Sequence, residues 1–151
     1  MVFELIPFVG LDSLPFGILR KDAYNILGEP NRIIKRTGDK IIQEVWYQIG
    51  MYLYFDGGVL DEINIRPPIC VSKEKIEVNF VFSQYDIFNM PPYYIYSELC
   101  QLDGSPKKTV GTTILPNLGM GLYSFDNHVV DGQDDRSLGL YRQEILEEII
   151  S

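Results

Sequence analysis

The sequence predicts an α+β fold, two tandem helix-plus-antiparallel-hairpin modules forming one compact body, and three observations carry that prediction. A helical stretch ending in Gly-x-Pro, followed by a strand ending in Phe-Asp, occurs twice. The first copy runs from Phe16 to Pro30 and then Leu53 to Asp56, the second from Tyr93 to Pro106 and then Tyr123 to Asp126. Internal self-similarity fixes an architecture before any single motif does. Ten tyrosines and eight phenylalanines in 151 residues lean toward strands, whose pleated surface suits aromatic rings. Arg66-Pro67-Pro68 marks a seam, because consecutive prolines end a strand and stiffen the connection after it. The expected organisation is a single domain, residues 1–151, made of similar modules at about 1–67 and 68–151. A chain of this length buries roughly 70% of its unfolded surface, enough for one core.

Taken in order, Val2 to Ile6 reads as a short strand. Leu14-Pro15-Phe16-Gly17 breaks it, and Ala23, Ile26 and Leu27 then recur at helical spacing over Arg20 to Leu27. Gly28 stands where a left-handed residue ends a helix, and Pro30 blocks continuation. Strands follow at Arg32 to Arg36, Ile41 to Tyr47, Ile49 to Phe55 and Val59 to Ile65, with turns at Thr37-Gly38-Asp39-Lys40 and Asp56-Gly57-Gly58. In the second half Glu77 to Phe82 is a strand, and Pro91-Pro92 opens a helix reaching Leu102, since proline suits a first turn. Lys108 to Ile114, Gly119 to Phe125 and Ser137 to Tyr141 read as strands. A closing helix from Arg142 to Ile150 sets Ile145, Leu146, Ile149 and Ile150 against Glu144, Glu147 and Glu148.

Composition narrows the function. No apolar run approaches the ~20 residues that cross a bilayer. The first residues lack a basic segment ahead of an apolar one, so no signal peptide is expected and the expected compartment is the cytoplasm. There Cys70 and Cys100 stay reduced. Residues 1–75 hold nine Lys/Arg against ten Asp/Glu, and residues 76–151 hold four against eleven. An acidic half repels phosphate backbones and anionic lipid and attracts basic partners. Nucleic acid and membrane are therefore not expected partners, and no cofactor or metal motif is present.

The stretch Phe16-Gly17-Ile18-Leu19-Arg20-Lys21-Asp22, then Leu27-Gly28-Glu29-Pro30, Trp46-Tyr47 and Leu53-Tyr54-Phe55-Asp56-Gly57-Gly58-Val59, resembles a known module. Small outer-membrane assembly lipoproteins and the beta-lactamase inhibitor protein share it. The likeness covers about residues 14–65, with Leu19 standing where the family places a Thr or Ser cap. Two tandem copies are more similar to the inhibitor than to the single-module lipoproteins. The resemblance implies a protein-binding fold, and a bacterial toxin-immunity protein of that fold is the functional expectation.

Two residue groups are candidates for the contact. Asp126, Asp131, Asp134 and Asp135 surround the single histidine, His128, in the densest polar run of the chain. They offer electrostatic steering toward a basic protein partner, a candidate toxin domain. The run does not match a calcium loop, and His128 has no nucleophile beside it in sequence. Tyr47, Tyr54, Tyr93 and Tyr94 offer large contact area at low entropic cost, although packing in the core competes for each. The expectation is an immunity or inhibitor protein, not an enzyme, neutralising a basic toxin such as a nuclease. An assembly or scaffold module with an apolar interface, and a small ligand-binding protein or enzyme using the His128 region, stay open as alternatives.

Overall fold

The structure is a computed structural model that describes residues 1–35, 41–69, 76–126 and 134–151, with backbone only at position 41. It corrects the predicted class. The described residues are mostly β, with one eight-stranded antiparallel sheet, one four-stranded sheet and three helices. This is not a pair of helix–hairpin modules. In the first half β1 (Val2–Ile6) and β2 (Gly10–Leu11) precede α1 (Arg20–Leu27), and β3 (Arg32–Lys35), β4 (Ile41–Trp46), β5 (Met51–Asp56) and β6 (Val59–Ile65) follow it. In the second, β7 (Asn79–Phe82) and β8 (Tyr85–Asp86) precede α2 (Pro92–Asp103), and β9 (Lys107–Thr109), β10 (Thr112–Leu115), β11 (Met120–Tyr123) and β12 (Ser137–Tyr141) follow. The chain closes on α3 (Gln143–Ile150).

The large sheet runs β3-β4-β5-β6-β12-β11-β10-β9, and the small one runs β2-β1-β7-β8. The last strand of each meander meets the other: Ile65, Asn64, Ile63 and Glu62 face Leu138, Gly139, Leu140 and Tyr141. Alone, each meander exposes a row of unpaired backbone groups on its final strand. Pairing β6 with β12 satisfies both rows and merges the halves into one sheet. The helix–hairpin description fails because strands outweigh helices and a separate four-stranded sheet, β2-β1-β7-β8, forms outside both meanders. The free ends of this sheet are β3 and β9, which carry Arg32, Lys35, Lys107 and Lys108. A second seam joins β1 to β7 in parallel, Phe3 beside Phe80.

Local chemistry explains the boundaries. α1 begins after Leu19 with no side-chain cap, consistent with the missing Thr or Ser. Gly28 has positive φ but an extended ψ of −167°, whereas Gly104 ends α2 in the left-handed region. The expected strand Lys108 to Ile114 is two strands folded back at Val110-Gly111. Gly57 and Gly58 both take positive φ, 62° and 84°, and make the two-residue hairpin turn between β5 and β6. The core lies on one face of the large sheet. There Leu53, Phe55, Ile63, Leu122 and Leu140 pack with Ala23 of α1, Ile95 and Leu99 of α2, and Phe3 and Phe80 of the small sheet. α3 packs beside β12 and buries Leu146. No described helix is long and apolar enough to cross a membrane.

Candidate functional site

Strand alternation puts every second residue of the large sheet on the face away from α1 and α2. Cross-strand register then assembles two rows there. One row is Gln43, Tyr54, Glu62 and Tyr141. The other is Val45, Tyr52, Asn64, Gly139, Gly121 and Ile114. Gln43 donates to the Tyr54 hydroxyl at 3.0 Å. The Tyr141 ring covers the two glycines, because a Cβ on Gly139 would stand 2.5 Å from its hydroxyl and one on Gly121 3.1 Å. Burial, reinforced by the nearby Glu62 and Tyr54 charges, pushes the Tyr141 phenol up to about 12. It is a neutral hydroxyl at any physiological pH.

At the end of this face the β6 and β12 termini frame a cavity of about 360 Å³. Tyr52 forms one wall, with the Arg66 guanidinium 4.1 Å from its ring centre and Arg66 Nε donating to Asn64. Tyr47 meets Tyr52 edge-on at 6.3 Å. Tyr123, Asp134, Asp135 and Arg136 form the opposite wall. Arg136 is buried and lies over both Phe88 and Phe125, at 5.5 and 5.7 Å. Its Nη2 donates to the Phe88 carbonyl at 3.1 Å and to Asp134 at 2.6 Å, while Nε donates to Asp134 at 2.8 Å. The Arg136 hydrogen bonds hold the Asp134 carboxyl below its ordinary range. Among the described residues, Arg136 Nη1 is a buried side-chain nitrogen with no hydrogen-bond partner.

The sequence candidates therefore separate. Tyr47, Tyr54, Asp134 and Asp135 gather on or beside the tyrosine face. Asp134 is tied to Arg136, while exposed Asp135 has no ion-pair partner among the described residues. Asp126 pairs with Lys108 at 3.4 Å, near the β9 end of the sheet. Tyr93 and Tyr94 stand on α2, on the other side of the sheet. They are exposed, Tyr93 stacked on Tyr96 and Tyr94 edge-on to Tyr85. Asp131, His128 and Cys70 lie outside the described residues, as does the turn at residues 37–40. Cys100 is a free thiol, pushed up by burial. Sequence reading missed Tyr52, Tyr123, Tyr141 and Arg136, whose positions depend on pairing between halves.

Comparison with family models, curated proteins and solved structures finds no match to this chain.

Proposed function

We propose that the protein is a cytoplasmic immunity-type inhibitor, a protein-binding module that neutralises a basic toxin domain such as a nuclease. The observation that carries the reading is the face bearing Tyr54, Tyr123 and Tyr141 around the buried Tyr52, with Glu62 between Tyr54 and Tyr141 in one row and Asp135 at the rim. Tyrosines held on paired strands have little conformational freedom left to lose on docking. Carboxylates beside them speed encounter with a cationic groove. The net charge of −8 adds a long-range field of the same sign. The resemblance of residues 14–65 to an inhibitor module supports the reading as fold analogy.

The test is pull-down from the native host, followed by stopped-flow association with the basic protein recovered. Tight binding is expected, with an association rate that falls roughly tenfold or more between 50 and 500 mM salt. Tyr54→Ala should raise the dissociation rate. Absence of binding, or a rate indifferent to salt, overturns the proposal. Salt-insensitive self-association would point instead to an assembly module.

A further inference from the structure

We propose that the open edge of β3 takes up an extended acidic peptide segment of a partner protein as a further strand. This site is separate from the tyrosine face and calls for partner chemistry of the opposite sign. β3 ends the large sheet, and among the described residues it pairs with β4 alone. An edge strand leaves alternate N–H and C=O groups without sheet partners, and an added strand supplies them.

Side chains decide which strand fits. Register with β4 sets Ile33 opposite Glu44, so Ile33 stands on the α1 side of the sheet, where it is 45% exposed. α1 itself leaves Ile26 39% exposed. Ile34, opposite Gln43, is half-buried on the other face. Arg32 and Lys35 flank the two isoleucines. Both are exposed, and neither has an ion-pair partner among the described residues. The edge therefore reads base–apolar–apolar–base. Its complement is acid–apolar–apolar–acid in either strand direction, because the pattern is symmetric. Opposite charges facing each other across a ladder stabilise it, and like charges weaken it.

Charge also decides against other occupants. A second copy pairing β3 with β3 antiparallel, Ile33 beside Ile34, would set Arg32 directly against Lys35. Nucleic acid is repelled by the net charge of −8. The far end of the sheet makes the contrast. There β9 is three residues long, Lys107-Lys108-Thr109, with Lys108 already paired with Asp126. It offers an incoming strand no apolar contact, so β3 is the receptive edge.

The experiment is an NMR titration of the intact protein, following the backbone amide signals of Arg32 to Lys35. The probe is an end-capped octapeptide with glutamate, valine, valine and glutamate at its centre and two threonines on each side. Saturable shifts are expected below about 5 mM. Replacing both peptide glutamates by glutamine should weaken binding about two- to fivefold per charge, a loss that shrinks as salt rises. The double variant Arg32→Gln and Lys35→Gln, confined to exposed side chains, should do the same, whereas Lys107→Gln on β9 should change nothing. Backbone methylation separates strand addition from charge attraction. An added strand bonds to its neighbour through alternate N–H groups only. Of two peptides N-methylated at alternate residues, offset by one, one should lose saturation and the other keep it. Equal behaviour of the two methylated peptides overturns the proposal. So does an absence of saturable shifts, or equal weakening by Lys107→Gln and by the β3 variant.

Discussion

Glu44 is completely buried on the core face of β4, opposite Leu53. Both of its oxygens take Arg20 Nε, at 3.0 and 2.9 Å, and one also takes Arg20 Nη2 and the Tyr24 hydroxyl. Tyr24 itself is pushed up by burial and by its bond to Glu44. A fully buried carboxyl in that position is tolerable only while α1 supplies those donors. Glu44→Ala strands a partly exposed guanidinium and a phenol, and it should cost about 2 to 3 kcal/mol in urea denaturation. Two other residues set pH limits. Asp134 titrates below its ordinary value of 3.8 when folded, so its stabilisation is present above that pH and is lost as pH falls further. Asp134→Asn should flatten the acid limb of a plot of stability against pH. Tyr141 works in the opposite direction. The folded state holds its phenolic proton from the ordinary 10.0 up to about 12, so stability is full below pH 10 and declines above it. Two pH units correspond to roughly 3 kcal/mol as an upper bound. Tyr141→Phe should retain its urea midpoint between pH 9 and pH 11 better than the parent chain does.

Strand β12 depends on the absence of side chains as much as on their presence. At Gly139 a methyl group would displace the Tyr141 ring from the sheet, because its hydroxyl and Cζ stand 2.5 and 2.7 Å from the added carbon. Gly139→Ala should destabilise by about 1 to 3 kcal/mol through overpacking. It should also alter the ring signal of Tyr141, which thermal unfolding alone does not report. Elements of this kind were legible from local chemistry. The Arg20–Leu27, Val59–Ile65 and Ser137–Tyr141 spans follow directly from periodicity and turn residues. Lys108 to Ile114 was not legible as two strands, because the fold-back at Gly111 lacks the Asn-Gly or Asp-Gly dipeptide that marks a tight hairpin. Gly10–Leu11 and Tyr85–Asp86 are two-residue strands, too short for any alternation to show. Glu44 gave one overlooked signal, an acid at an inward position between Ile42 and Trp46.

At the scale of the whole molecule, the repeated Gly-x-Pro helix ending and Phe-Asp strand ending suggested two modules. The structure answers with one sheet that runs through both halves. That the sheets of the two halves join was expected, but long-range pairing leaves no periodic trace, so neither the β6–β12 register nor the tyrosine face that it creates was readable beforehand. Charge asymmetry was readable, because it is a count. Its use for steering is tested by Asp135→Asn in the toxin-association assay, which should slow association by a few-fold while leaving dissociation nearly unchanged. The two seams have a further consequence. Cut between Ile69 and Ile76, the chain becomes two polypeptides, and each presents an unsatisfied edge whose complement sits on the other. Such fragments, mixed in equal amounts, should recombine spontaneously through the β6–β12 and β1–β7 contacts. The protein then becomes a conditional reporter, reconstituted only where both pieces meet.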